Sequence, residues 1–253
     1  MIVVFLTAFL FGITGSPQNS ALGNPRQDQD SEVANVLAQL KPALDRRKVW
    51  FDVPWNERIE RVRTRLVQLA QESPESRKTV IDSLITVLND PKGQFDLSGV
   101  DRWRLSAILL GELNATEAID ALISKISWTS YDLSPHPRPP VRTALVRIGK
   151  PAVPRLLLAL SDQNWSVRWE SSEALKEIGE PSVEGLLGVL AHAEPLGRAA
   201  AAHALSGIGG ARVREAIELA LRNETDEETR THLENALGFI DHVECLKDSS
   251  KCK

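Results

Sequence analysis

Ile148-Gly149, Ile178-Gly179 and Ile208-Gly209 recur at intervals of 30 residues. Ala144, Ala174 and Ala204 keep the same phase, as do Arg138, Arg168 and Arg198. A fixed interval of this length, held by several positions at once, is the signature of stacked supersecondary units. It constrains the fold more than any single motif in the chain. Each unit reads as a helix, a Gly stop and a second helix. Gly suits the left-handed position that ends a helix, where a Cβ would clash. Pro151 and Pro181 follow two residues later, in the first turn of the next helix, where no N–H is required.

The second helices carry Val153, Leu156, Leu157 and Leu160, then Val183, Leu186, Leu187 and Leu190. That i, i+3, i+4, i+7 spacing gives one apolar stripe. The first helices repeat Leu145 with Ile148, Leu175 with Ile178 and Leu205 with Ile208. The in-phase Ala residues allow close helix packing. One hairpin cannot bury its stripe alone, so neighbouring units must stack. Two weaker copies extend the array: Leu110-Gly111 before it, and Leu237-Gly238 closing a last helix that starts near Asp226. The segment Trp128–Pro140 holds four Pro residues and reads as an inserted loop.

Asn164-Trp-Ser-Val-Arg168, Ala174-Leu175, Ile178-Gly179 and Pro181-Ser-Val183 resemble the short HEAT-like repeat of phycobilisome lyase subunits and many bacterial scaffold proteins. The resemblance spans residues 99–243. It implies an all-α fold, a right-handed α-solenoid of stacked antiparallel helix pairs. It also implies that Arg138, Arg168 and Arg198, with Asp132, Asp162 and His192 six residues before each, bridge adjacent repeats. Fold alone does not give function.

The N-terminal part lacks the Gly ladder. Residues 31–97 read as a divergent repeat or cap, with helices near 31–45, 57–71 and 74–89, and with Ser73 capping the last ahead of Pro74. Trp50 and Trp55 are expected to cover the N-terminal core. Ile2–Thr14 is an uncharged apolar run, too short to span a bilayer comfortably and suited to a signal-peptide core, although no Lys or Arg precedes it. Residues 1–23 are therefore expected to direct export to the periplasm or beyond, with membrane attachment only if they are not cleaved. Residues 24–30 are read as a disordered linker and 244–253 as a polar tail. Cys245 and Cys252 lie in that tail and could pair after export.

Formal net charge is −4, with Lys and Arg interleaved among Asp and Glu, which argues against nucleic acid as a partner. There is no Gly-rich phosphate loop, no His-Glu-x-x-His and no Gly-x-Ser-x-Gly. No two His residues sit at i, i+4, and no His-Glu dipeptide of the kind used by iron-binding HEAT-repeat hydroxylases occurs. The expectation is no enzyme, no metal and no cofactor, but an interaction scaffold for a protein or peptide. Its concave face would be lined by the second helices, with Arg155, Glu184, Arg214 and Glu218 as contact positions. Trp165 and Trp169 share a helix face and serve either as an aromatic contact patch or as a plug between repeats. Asn114, Asn164 and Asn223 head Asn-x-Ser/Thr triplets and are expected to cap helices. The alternative function, a lyase-like or chaperone-like factor handling a tetrapyrrole, rests on the resemblance alone. The Trp128–Pro140 insertion is where function particular to this chain is expected.

Overall fold

The computed structural model describes residues 25–39, 57–90, 97–127 and 139–247. The expected signal peptide, the Trp50–Trp55 turn, Trp128–Arg138 of the insertion, and Cys252 lie outside them. Among the described residues all regular structure is helical: α1 (Pro25–Ala38), α2 (Glu57–Glu72), α3 (Pro74–Asn89), α4 (Leu97–Glu112), α5 (Ile119–Ser124), α6 (Pro140–Ile148), α7 (Val153–Ala159), α8 (Trp165–Ile178), α9 (Glu180–His192), α10 (Pro195–Ile208), α11 (Ala211–Asn223) and α12 (Glu227–Lys247). None of these helices is long and apolar enough to cross a membrane.

The helices form two layers. Helices α2, α4, α6, α8, α10 and α12 pack in sequence as one layer, and α3, α5, α7, α9 and α11 as the other. This is the solenoid that the 30-residue phase predicts. Its core is continuous, because each apolar stripe is completed by the next unit. Ala144, Ala174 and Ala204 are fully buried, as are Leu145, Leu175 and Leu205 beside them. In the other layer Leu156 and Leu186 are fully buried and Val153, Val183, Leu190 and Val213 nearly so. Burying one such side chain contributes about 1.5–3 kcal/mol, so the array is stabilised chiefly by contacts between units.

The Gly ladder sits at positive-φ turns between paired helices. Gly149, Gly179 and Gly209 have φ of 70°, 76° and 77°. Their ψ values of −132°, −134° and −169° lie outside the left-handed helical well expected from sequence, in territory that essentially only Gly occupies. At Gly149 and Gly179 a single residue serves both helices, while at the third unit Gly210 takes over the start of α11. The N–H of Gly179 donates to the Leu175 carbonyl at 3.0 Å, continuing α8, while its own carbonyl accepts from the Ser182 N–H at 2.9 Å, opening α9. Gly149 does the same between Leu145 and Ala152.

Gly111 and Gly238 do not stop helices, contrary to expectation. Helix α4 runs past Gly111, and a Cβ there would lie 2.6 Å from Ala144 Cα, so this Gly exists for close approach of α4 and α6. The stop falls at Asn114, φ 54°, where the Ala115 N–H reaches back to the Leu110 carbonyl at 2.9 Å and the Asn114 N–H to Gly111 at 3.1 Å. Asn114 is thus the left-handed residue of a Schellman motif rather than an N-cap. Asn223 is the last residue of α11, and of the three triplets only Asn164 caps, its side chain accepting from the Ser166 N–H at 2.9 Å. Gly238 lies within α12, which continues to Lys247.

At the N-terminal end α2 and α3 match the sequence reading closely, and Ser73 accepts from the Ser76 N–H at 3.0 Å ahead of Pro74. Helix α1 packs on both, with Val33, Val36 and Leu37 buried. It begins at Pro25, so the segment read as a disordered linker at 25–30 is helical. Docking of the apolar turn supplies the stability that the polar first turns lack, and Pro suits a helix start. Cys245, in the last turns of α12, is disulfide-bonded, and the sequence holds one other cysteine, Cys252.

Candidate functional site

The two layers carry ion pairs of different kinds. In the second-helix layer, three of the four residues expected to contact a partner are paired across units. Arg155 Nε donates to Asp120 Oδ1 at 2.5 Å, joining α7 to α5. Arg212 Nη2 donates to Glu184 Oε2 at 2.9 Å, joining α11 to α9. Arg214 donates to Asp241, joining α11 to α12. All three contacts are solvent-exposed, and the bond from Arg212 holds the Glu184 carboxyl below the ordinary range. Glu218, also on α11, is half-buried. Three of these four positions therefore sit in cross-unit pairs, two within the second-helix layer and one tying α11 to α12 of the other layer.

The first-helix layer is stitched by deeper contacts. Arg63 of α2 grips Glu112 of α4 through Nε and Nη2, each 2.9 Å from a carboxylate oxygen, and Arg147 of α6 reaches the same carboxylate at 3.2 Å. Arg142 of α6 lies between two carboxylates of α8, 3.0 Å from Glu170 and 3.3 Å from Glu177. Glu170 is only 5% exposed. Burial pushes its carboxyl up, Arg142 opposes this, and the neighbouring carboxylates Glu173 and Glu177 push the same way as burial. Arg198 of α10 grips Glu224, with Nε and Nη2 at 2.7 and 2.6 Å. Glu224 also accepts the N–H groups of Thr225 and Asp226. The Arg198 bonds, aided by those N–H groups, lower its carboxyl to about 2 despite burial.

The Arg ladder behaves only partly as the resemblance implies. Arg198 bridges to the next unit through Glu224 and also caps the Ala193 carbonyl at 2.7 Å. Arg168 instead donates to the carbonyls of Asp162 and Gln163 in its own turn, at 2.7 and 3.0 Å, while the Asp162 side chain accepts from the Asn164 N–H. Arg138 lies outside the described residues.

Trp165 stands outside the join between repeats, whereas Trp169 lies at it. They are 60% and 39% exposed and stack with ring centroids 5.6 Å apart and planes 16° apart. The Trp169 ring also lies against His203 of α10, centroids 4.7 Å apart. His203 Nε2 is 2.9 Å from Glu173 Oε1, the oxygen that also receives Lys176. Burial works to raise Glu173, but the bonds from Lys176 and His203 outweigh it and hold its carboxyl below the ordinary range. The result is a column of three rings, fixed at its base and open at Trp165. Glu173 and His203 occupy the same phase in consecutive units, and that register was the available signal for their meeting. Among the described residues no group of three or more His, Cys, Asp or Glu side chains is arranged to hold a metal ion.

Residues 153–238 match the sequence family described as HEAT repeats. A comparison with curated proteins finds no match. Similar solved structures include an engineered protein (18% identity, 83% of this chain and 97% of that chain, TM-score 0.35). A designed armadillo repeat protein in complex with the peptide (KR)4 is 18% identical over 83% of this chain and 99% of that chain, TM-score 0.32. Human deoxyhypusine hydroxylase in complex with glycerol is 15% identical over 86% and 99%, TM-score 0.34. At these scores neither the ligands nor the activity of those proteins bear on this chain. Taken with the two-layer helix order and the Gly turns, the match makes residues 153–238 a HEAT-repeat segment within an all-α repeat array.

Proposed function

We propose that the chain is a protein-interaction scaffold, not a catalyst, and that its partner docks on the second-helix layer, taken as the concave face. The observation that carries this reading is the row of exposed cross-unit ion pairs at Arg155–Asp120, Glu184–Arg212 and Arg214–Asp241. Exposed pairs contribute little to folding, so a partner's charges can replace them without loosening the array. Their alternating sign along one face favours a polypeptide of mixed charge over a polyanion. The reading extends to export: the apolar run Ile2–Thr14 and a disulfide at Cys245 both suit an oxidising compartment.

The test is a charge-reversal triple variant, Arg155→Glu, Glu184→Lys and Arg214→Glu. Cross-linking mass spectrometry on envelope fractions is expected to join the wild-type second helices to one recurrent protein, with that link lost in the variant while the thermal melt is retained. Recovery of the same cross-links from the variant, or of none from the wild type, would remove the proposal. N-terminal sequencing of the mature chain addresses export separately; an intact Met1 with a reduced Cys245 counts against it.

A further inference from the structure

Gly188 has no use within the fold. It lies in the middle of α9, is exposed, and is not among the positive-φ glycines. Gly in a helix interior weakens the helix relative to Ala or Leu. Elsewhere a neighbour explains that weakness: Gly111, Gly185, Gly197 and Gly207 each lie under an atom of another segment that a Cβ would strike. A Cβ at Gly188 would meet nothing within 4 Å. Gly238 shares that open space, but it lies on α12, the last described helix of its layer, whereas α9 has α7 on one side and α11 on the other.

The flanking helices turn that gap into a notch. Leu156, Leu186 and Ile217 are fully buried on α7, α9 and α11, and two positions further on stand Leu158, Gly188 and Leu219. Leu158 is 68% exposed and Leu219 54%. Two large apolar side chains thus rise into solvent at one level, with bare backbone between them. Packed helices lie about 8–10 Å apart, so the opening takes one large side chain. One turn earlier on α9, Gly185 is covered by Leu157 of α7, which adds apolar wall. Apolar walls select an apolar guest, because its entry removes surface from water on both sides. Charge selects what carries that guest. One turn before Leu158 and Gly188 stand Arg155 and Glu184, both open to solvent, in pairs that contribute little to folding. A chain crossing from α7 to α9 meets a cation, then an anion, about 8–10 Å apart, the reach of roughly three extended residues. A polypeptide with an acidic and a basic side chain at that spacing complements both, which a neutral sugar or a polyanion does not.

We propose that the notch at Gly188, between Leu158 and Leu219, receives one large apolar side chain of a partner polypeptide, with an acidic side chain beside it at Arg155 and a basic one at Glu184. The proposal rests on the reading that a polypeptide docks on the second-helix layer, and it says which of that polypeptide's side chains is the anchor.

The test titrates the full chain with a short peptide carrying Glu-Gly-Leu-Lys, a counterpart with Ala for Leu, and a counterpart with Glu for Lys, read by calorimetry and by the methyl NMR signals of Leu158 and Leu219. The Leu peptide is expected to bind and to shift both signals, the Ala peptide to bind about ten-fold more weakly, and the Glu-for-Lys peptide several-fold more weakly. Gly188→Leu fills the notch and is expected to weaken the Leu peptide by about ten-fold or more, with Gly188→Ala in between. Both variants should melt at or above the wild type, because Leu and Ala favour a helix over Gly. No binding of the Leu peptide, equal binding of the Ala peptide, or undiminished binding by Gly188→Leu would each overturn the proposal. So would a wild-type dimer in sedimentation that Gly188→Leu separates, since a second copy would then fill the notch. Cross-linking of Gly188→Leu distinguishes this proposal from the reading beneath it. Without wild-type links to the second helices that reading fails, whereas links kept in Gly188→Leu but lost in the triple variant overturn the notch alone.

Discussion

The two helix layers solve the same problem, joining unit to unit, with different chemistry. The first-helix layer uses small residues at the contact and arginine bridges to sheltered carboxylates: Arg63–Glu112–Arg147, Arg142 with Glu170 and Glu177, and Arg198–Glu224. The second-helix layer uses Leu and Val stripes, and the ion pairs within it, Arg155–Asp120 and Glu184–Arg212, lie out in solvent. Desolvated charges are costly when left alone, whereas exposed ones are readily rehydrated. One layer is thereby committed to holding the array, and the other has charge to spare for a partner.

That contrast can be broken first at Arg142. Arg142→Ala leaves Glu170 and Glu177 without their shared cation, and truncation of one member of a buried bridge costs about 3–5 kcal/mol. Chemical denaturation at pH 7 should show a loss of that order. In the variant the Glu170 carboxyl is pushed further upward, so its folded value exceeds its unfolded one and the deficit should shrink as pH falls. A loss that stays constant with pH would mean that Arg142 acts by packing alone.

Glu224 should give a smaller effect with the opposite pH dependence. Its carboxyl is lowered from 4.5 to about 2. A depressed carboxyl stabilises the fold above its unfolded value, and that contribution disappears as pH falls from about 4.5 towards 2. Glu224→Gln is expected to cost about 1–2 kcal/mol at pH 7 and to melt like the wild type near pH 2. Unfolding curves across that window check it; parallel curves for the two proteins would refute the assignment. The smallest change is expected at Arg155→Ala, on the other layer, where the melting temperature should stay within about 1 °C of wild type because exposed pairs add little. A large loss there would erase the distinction between the layers.

Most of the architecture could be read from the chain because the Gly turns are local events. Gly149, Gly179 and Gly209 need nothing but their own φ, so their spacing announces the units. Gly111 and Gly238 misled for a physical reason: a Gly required by a neighbouring helix, or merely tolerated within one, looks the same in sequence as a Gly required by its own backbone. The cross-unit bridges were harder to foresee. Whether Arg142 meets Glu170 or Arg198 meets Glu224 depends on the offset between stacked helices, which a repeat length does not specify. The shared face of the Trp pair was legible, but the choice between a contact patch and a plug was not, since a helix at the edge of an array and one in its middle carry the same stripe.

The one-residue turn at Gly179 leaves the array no slack within a unit. Adding a single residue to α9 would rotate everything beyond it by about 100° about the helix axis, carrying part of the Val183–Leu190 stripe out of the core. The turn itself, with both its N–H and its carbonyl already engaged, cannot take up the difference. Length can change more gently at the junctions between units, such as residues 160–164 or 224–226, where the chain passes from one hairpin to the next. A protein built this way is lengthened in whole modules and adjusted at the seams, much as a chain is altered by the link.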